Sequence, residues 1–335
     1  MGRYKPFLCL VVACFFSLLR PASFAASPTY HYYRTGNPTD VRTKSKGGFA
    51  LLGGGEDLDR AFQWMCERSG GGDFLILRAS GDDAYNPYIK GLCQVNSVAT
   101  LIIPNRTAAE DSFVAATIRH AEAVFISGGD QANYINFWAG TPVQVALNHL
   151  LTRNVPIGGT SAGLAVLGEF VYSAQGDAPD GPDLASADVL SSPFNPRVTI
   201  VQKFLDVPLL KEVITDTHFS ARDRLGRTLV FMARILQDRR ARHIRDIAVD
   251  QGTGVLLDPD GVATVVGKGS AYFLEATQNP EVCKPGAPLT FRGIIVRSLR
   301  ADERFNVAQW FSEDGVSYTL SVESGSIHST LPNGG

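Results

Sequence analysis

Five short apolar runs, most of them followed by a turn and a helix-like stretch, constrain this chain most. They are Phe49–Leu52, Phe74–Leu77, Ala99–Ile103, Ala123–Ile126 and Val155–Ile157. Unbroken apolar runs of this length suit strands buried on both faces. Between them, Asp57–Glu67, Ala108–Ala121, Ala132–Phe137 and Pro142–Arg153 read as helices. In the first, Leu58, Ala61, Phe62 and Met65 share one face. Such alternation predicts an α/β fold, with a mainly parallel sheet and helices on both faces. The pattern changes near residue 255. Val262–Val266, Ala271–Leu274, Gly293–Val296 and Tyr318–Val322 read as strands separated by turn residues. The expected organisation is an α/β domain over 47–254 and a β-rich C-terminal extension over 255–335. That extension either packs on the first domain or continues its sheet.

The chain start carries a different signal. Arg3 and Lys5 precede the apolar stretch Phe7–Leu19, and Ser23-Phe24-Ala25 offers small residues at −3 and −1 of a cleavage site. Residues 1–25 therefore read as a signal peptide, and the expected location is secreted or periplasmic. Residues 26–46 are polar and read as a leader or linker. No other run approaches the ~18 apolar residues of a membrane span. The segment holds three basic residues and no acid, so its removal takes the net charge from −2 to −5. That leaves no basic footprint for nucleic acid. Cys66, Cys93 and Cys283 remain, and Cys66 with Cys93 is the expected disulfide. No Cys-x-x-Cys pair or His-rich cluster calls for a metal, and no cofactor is expected.

Three strand ends carry glycine: Gly53-Gly54-Gly55, Gly128-Gly129-Asp130-Gln131 and Gly158–Gly163. Ligands of open α/β sheets bind at the carboxyl ends of the strands. The third cluster contains Gly159-Thr160-Ser161-Ala162-Gly163, which fits G-x-S-x-G between a strand and the helix-like Leu164–Leu167. That is the context of a nucleophile elbow, where a sharp turn exposes a serine hydroxyl above the sheet. The Ala162 N–H, at the helix start, is placed to stabilise an oxyanion.

A serine nucleophile needs a base. His120 and His149 lie on helices, and His31 and His328 lie near the chain ends. His243 falls in the basic run Arg239–Arg245, read as a solvated helix face. His218 differs, because it follows the strand-like Val213–Asp216 and precedes Arg222, Arg224 and Arg227. A histidine at a strand end, followed by guanidinium groups suited to carboxylates, is the best base candidate.

At these residues the sequence resembles the cyanophycinase family of serine peptidases, peptidase family S51, which includes α-aspartyl dipeptidases. The matching pieces are Gly53-Gly54-Gly55, Gly128-Gly129-Asp130-Gln131, Gly159–Gly163 and Asp216-Thr217-His218-Phe219 with Arg222–Arg227, in that order over about residues 47–270. The resemblance implies a class I glutamine-amidotransferase-like fold, Ser161 as nucleophile and His218 as base. It implies an oxyanion hole from Ala162 and the Gly129–Asp130 region. Gln131, Asp216, Arg222, Arg224 and Arg227 fall on positions that hold substrate in the family. The implied substrate is a peptide, either cyanophycin (poly-Asp carrying arginine on its β-carboxylates) or another aspartyl peptide. A homodimer is compatible with this reading. Three positions depart from the family pattern. Gln251 stands on the position of the third catalytic member, a glutamate, with Asp250 next to it. Thr217 replaces a glutamine, and Ile135 replaces a substrate-contacting lysine.

Two other readings fit parts of the sequence. Gln251 fits a binding protein or pseudoenzyme on the same scaffold. G-x-S-x-G alone fits an α/β-hydrolase esterase with a late histidine, for which His328 is the main candidate.

Overall fold

The computed structural model describes residues 1–2, 29–178 and 181–331. The signal-peptide reading of residues 1–25 lies almost wholly outside them. Seventeen strands follow one another: β1 (His31–Gly36), β2 (Phe49–Leu52), β3 (Asp73–Arg78), β4 (Ser97–Ile102), β5 (Ala123–Ile126), β6 (Ile157–Thr160), β7 (Phe170–Tyr172), β8 (Ile200–Gln202) and β9 (Val213–Asp216). Then come β10 (Ile244–Val249), β11 (Thr253–Leu257), β12 (Val262–Gly267), β13 (Ala271–Ala276), β14 (Phe291–Leu299), β15 (Arg304–Asn306), β16 (Val316–Glu323) and β17 (Ser326–Ser329).

They form two sheets. The first runs β1-β4-β3-β5-β6-β2-β11-β12-β15, and the second β17-β16-β14-β13-β10-β9-β7-β8. The five expected apolar runs are the parallel centre of the first sheet, β4-β3-β5-β6-β2. Their alternate side chains serve two cores. Ala50, Leu52, Phe74, Ile76 and Phe125 meet Phe62 and Met65 of the helix Asp59–Arg68 and Ile89 of the helix Tyr85–Leu92. On the other face, Leu51, Leu75, Leu77, Val124 and Ile126 join Val143, Leu147 and Leu150 of the helix Pro142–Thr152. Ile247 and Phe273 of the second sheet share this core. A third core lies under the helix Leu225–Gln237.

Several expectations are corrected. The leader 26–46 contains β1, which pairs antiparallel with β4 along six residues. As an edge strand it is half-exposed, so its side chains read as polar linker. The C-terminal region is β-rich, as expected, and of its two expected placements it takes the one that continues the sheets. β11, β12 and β15 continue the first sheet, while β13, β14, β16 and β17 complete the second, and the boundary at 254 cuts through β11. The stretch 108–121 is two helices, because Asp111 accepts the Phe113 N–H and caps a new one. The basic run Arg239–Arg245 is no helix face. The helix ends at Gln237, β10 begins at Ile244, and His243 meets Glu212 at 3.0 Å. Cys66 and Cys93 are bonded, joining the helix Asp59–Arg68 to the residue that closes Tyr85–Leu92; Cys283 is free and buried. Among the described residues, no helix is long and apolar enough to cross a membrane.

Candidate active site

Ser161 closes β6 and opens the four-residue helix Ala162–Ala165. Its backbone sits at φ 52°, ψ −118°, a conformation that costs a non-glycine residue roughly 1–3 kcal/mol. The elbow holds because neighbouring backbone packs without side chains. A β-carbon on Gly163 would come within 2.0 Å of the Ile126 carbonyl oxygen. The Ser161 N–H donates to the Leu52 carbonyl at 3.1 Å, tying the turn to β2.

His218 follows β9, in the other sheet, so the site sits on the seam between the two. The His218 N–H donates to the Gly53 carbonyl at 2.8 Å, which brings the imidazole across to the first sheet. His218 Nε2 lies 2.7 Å from Ser161 Oγ. Gly54 makes this possible: a β-carbon there would lie 2.4 Å from His218 Cε1, and its φ is +89°. The first glycine cluster therefore shapes the seat of the base.

Gln251 reaches the other imidazole nitrogen, with Nε2 2.7 Å from His218 Nδ1. Asp250 does not. Its carboxylate accepts the N–H groups of Ser220 and Ser270, at 2.9 and 3.0 Å. Both residues lie in the turn between β10 and β11, and only Gln251 meets the imidazole. His218 is buried, and burial pushes its pKa down to about 4, assisted by the charges of Arg222 and Arg224 and opposed by Asp183 and Asp216. It is therefore neutral at pH 7.

The second glycine cluster begins beside the same serine. A β-carbon on Gly128 would stand 3.5 Å from Ser161 Cβ. Gly129 and Asp130 continue from it as an exposed turn, and Asp130 caps the helix Gln131–Trp138 by accepting the Ala132 N–H. Gln131 is that helix's first residue. The Ala162 N–H, at the first position of its own helix, is free of an intrahelical partner. Ile135 is buried in the first core and offers no polar group to a ligand.

The residues expected to hold substrate divide into two sets. Asp216 and Arg227 are corrected to a buried structural pair. The Arg227 guanidinium grips both Asp216 oxygens, with Nε 2.8 Å from Oδ2, and the Thr228 hydroxyl and Thr217 N–H donate as well. Both are at most 3% exposed, so neither can meet a ligand. Burial alone would raise the Asp216 carboxyl; Arg227 and Arg224 outweigh it and hold the pKa below its usual range. Among the described residues, Asp246 of β10 lies beside this pair with no hydrogen-bond partner, and burial plus the Asp216 charge raise its pKa well above the usual carboxylate value. Arg222 and Arg224 form the second set: Arg222 is exposed, and Arg224 is buried but reaches the half-exposed Asp183. Asp216→Ala should cost about 3–5 kcal/mol, since it strands Arg227 as an unpaired buried charge. Urea denaturation checks this, and a loss below about 1 kcal/mol would contradict it.

His328 lies on the exposed edge strand β17, paired opposite Ser321. It is no partner for Ser161, whose hydroxyl lies 2.7 Å from His218 Nε2. Asp183 is a site residue that the sequence reading missed. Its only signal was an acid in a Gly/Pro-rich stretch. Among the described residues, no group of three or more His, Cys, Asp or Glu side chains could hold a metal ion.

A serine on an elbow, a histidine within hydrogen-bond reach and glycine turns around both define a Ser–His nucleophile site on an α/β fold. The profile of peptidase family S51 matches residues 57–220. The cyanophycinase of Trichormus variabilis is 30% identical over 217 residues, covering 63% of this chain and 66% of that protein. The cyanophycinase of Synechococcus elongatus is 28% identical over 248 residues, 71% of this chain and 70% of that one. The match thus spans just under two thirds of the Trichormus relative. A peptidase from an acI-B1 actinobacterium has a related fold, with a TM-score of 0.51 and 15% identity over 78% of this chain and 98% of its own. The chain is thus similar to peptidase family S51 and to cyanophycinases.

Proposed function

We propose that the protein is a serine-type peptidase acting on β-linked aspartyl peptides, cyanophycin among them. The observation that carries this is the 2.7 Å approach of His218 Nε2 to Ser161 Oγ at a strained elbow. Ser161 attacks the scissile carbonyl as His218 Nε2 takes its proton. The oxyanion forms against the Ala162 N–H and the Gly129–Asp130 turn, and His218 returns the proton to the leaving amine. Water then hydrolyses the acyl-enzyme by the same steps. The test gives cyanophycin and β-Asp-Arg to wild type and Ser161→Ala. Release of β-Asp-Arg from cyanophycin, or cleavage of the dipeptide, by wild type alone supports the proposal, and equal or absent release overturns it.

A second reading, a binding protein with little turnover, draws on Gln251. An amide nitrogen facing Nδ1 donates to it. The single imidazole proton then sits on Nε2 and points at Ser161, where a base must accept. Turning the amide over brings Oε1 to Nδ1 and restores the productive tautomer. Gln251 is exposed and its side chain makes no other hydrogen bond, so that turn is open to it. The amide still cannot balance the imidazolium charge.

Export is part of the proposal. The segment 1–25 supports it, as does the Cys66–Cys93 bond, since disulfides persist in oxidising compartments. Protein recovered from the periplasm or medium should begin at Ala26 by N-terminal sequencing. Retention of Met1 on cytoplasmic protein would contradict export.

A further inference from the structure

The two arginines beside His218, Arg222 exposed and Arg224 buried, are already engaged. Arg222 Nη1 and Arg224 Nη2 both donate to Asp183 Oδ2, at 3.0 and 2.9 Å. The other arm of Arg224, Nη1, donates to the carbonyl and hydroxyl of Thr217, the residue before His218, at 2.9 and 3.0 Å. The fork is thus fixed within one residue of the base, and its open side holds a carboxylate from the protein itself. Burial would raise the Asp183 pKa, but Arg224 and Arg222 outweigh it and keep the carboxyl ionised.

The supports of Asp183 differ from Asp183 itself. Just after it, Leu184 is buried in the core. The Ser186 hydroxyl accepts the Gly226 N–H at 3.0 Å and donates to the Asp223 carbonyl. Before it, Asp177 is held by the Tyr172 hydroxyl at 2.8 Å and Arg197 at 2.6 Å. The Asp183 side chain is about half exposed (49%), and Arg222 similarly so (42%). Its carboxylate can therefore turn into solvent while the anchors on either side stay in place.

We infer that Asp183 is an internal competitor for the substrate's carboxylate, and so a specificity-determining residue of the site. Beside His218, the exposed Arg222 and the buried Arg224 each turn one guanidinium arm to the half-exposed Asp183 carboxylate. A ligand carboxylate seated there must take the place of Asp183 Oδ2, and the displaced side chain then repels any further negative charge on the ligand. Asp183 thereby weakens binding of purely acidic ligands. A ligand bringing a guanidinium next to its carboxylate supplies the displaced Asp183 with a new partner. This deepens the proposed function and rests on it for the substrate class.

The test is a binding measurement that needs no turnover. Calorimetry at low salt compares Ser161→Ala with Ser161→Ala/Asp183→Asn, using β-Asp-Ala, an acidic dipeptide without guanidinium. Removing the competing charge should tighten binding by about tenfold, and adding Arg222→Gln should remove that gain. Unchanged or weaker binding in the Asp183→Asn protein, or no binding in either, would overturn the inference; weaker binding would make Asp183 a strut that positions the arginines. Asp183→Ser serves as a second variant and should give the same sign. Failure of the peptidase reading shows separately, as absence of Ser161-dependent hydrolysis.

Discussion

Replacing Gln251 by glutamate should raise kcat on β-aspartyl peptides by about 100-fold or more, towards the ~10⁴ that separates a carboxylate from an amide in a serine-protease triad. The geometry is in place, because the Gln251 amide already stands 2.7 Å from His218 Nδ1. A carboxylate there can only accept. It fixes the proton on Nδ1, leaves Nε2 free to take the Ser161 proton and balances the imidazolium that forms. The change should also appear in the pH profile. The base works only when neutral, so activity falls as pH drops through its pKa. In the wild type that pKa is depressed to about 4 by burial and by Arg222 and Arg224. A neighbouring glutamate raises it, so the acid limb of kcat/KM should move to higher pH while the maximum rises. An unchanged kcat with an unmoved acid limb would show that Gln251 does not limit the base.

Ser161→Ala should abolish turnover in both backgrounds. Loss of the nucleophile costs about 10⁶ in an efficient serine enzyme. The measurable drop should therefore be larger in Gln251→Glu than in wild type, where the starting rate is lower. The fold should survive the change. The elbow conformation is set by backbone packing around Gly163 and by the Ser161 N–H bond to Leu52, neither of which uses the hydroxyl. Alanine suffers the same positive φ as serine, so circular dichroism and the melting temperature should stay close to wild type. Residual hydrolysis at the wild-type rate would place the chemistry elsewhere.

The parts of this site legible in the sequence are those whose geometry is local. G-x-S-x-G after an apolar run locates the elbow, because strand, turn and helix are neighbours along the chain. His218 was legible for a similar reason, as a histidine just past a strand-like run and just before three spaced arginines. The seam it bridges was not. The second sheet takes in β7 and β8, each three residues long, and β10, whose start is masked by the basic run Arg239–Arg245. Strands that short or that charged carry little periodicity. The arginine spacing announced cations without saying which would be buried. Arg227 falls in the first turn of Leu225–Gln237, on the face that closes over β9, so it meets Asp216 in the interior. Arg222 lies before the helix and stays outside. The glycines of 53–55 were legible as a tight turn, but the occupant of the space beside Gly54 comes from 164 residues further along the chain.

The central claim is that Ser161 and His218 form a working nucleophile pair held back by an amide at Gln251. Release of β-Asp-Arg from cyanophycin, followed side by side for wild type, Ser161→Ala and Gln251→Glu, tests it most directly. The account predicts slow release by wild type, none by Ser161→Ala and release faster by about 100-fold or more from Gln251→Glu. Release that survives in Ser161→Ala, or that Gln251→Glu leaves unchanged or lowers, would contradict it.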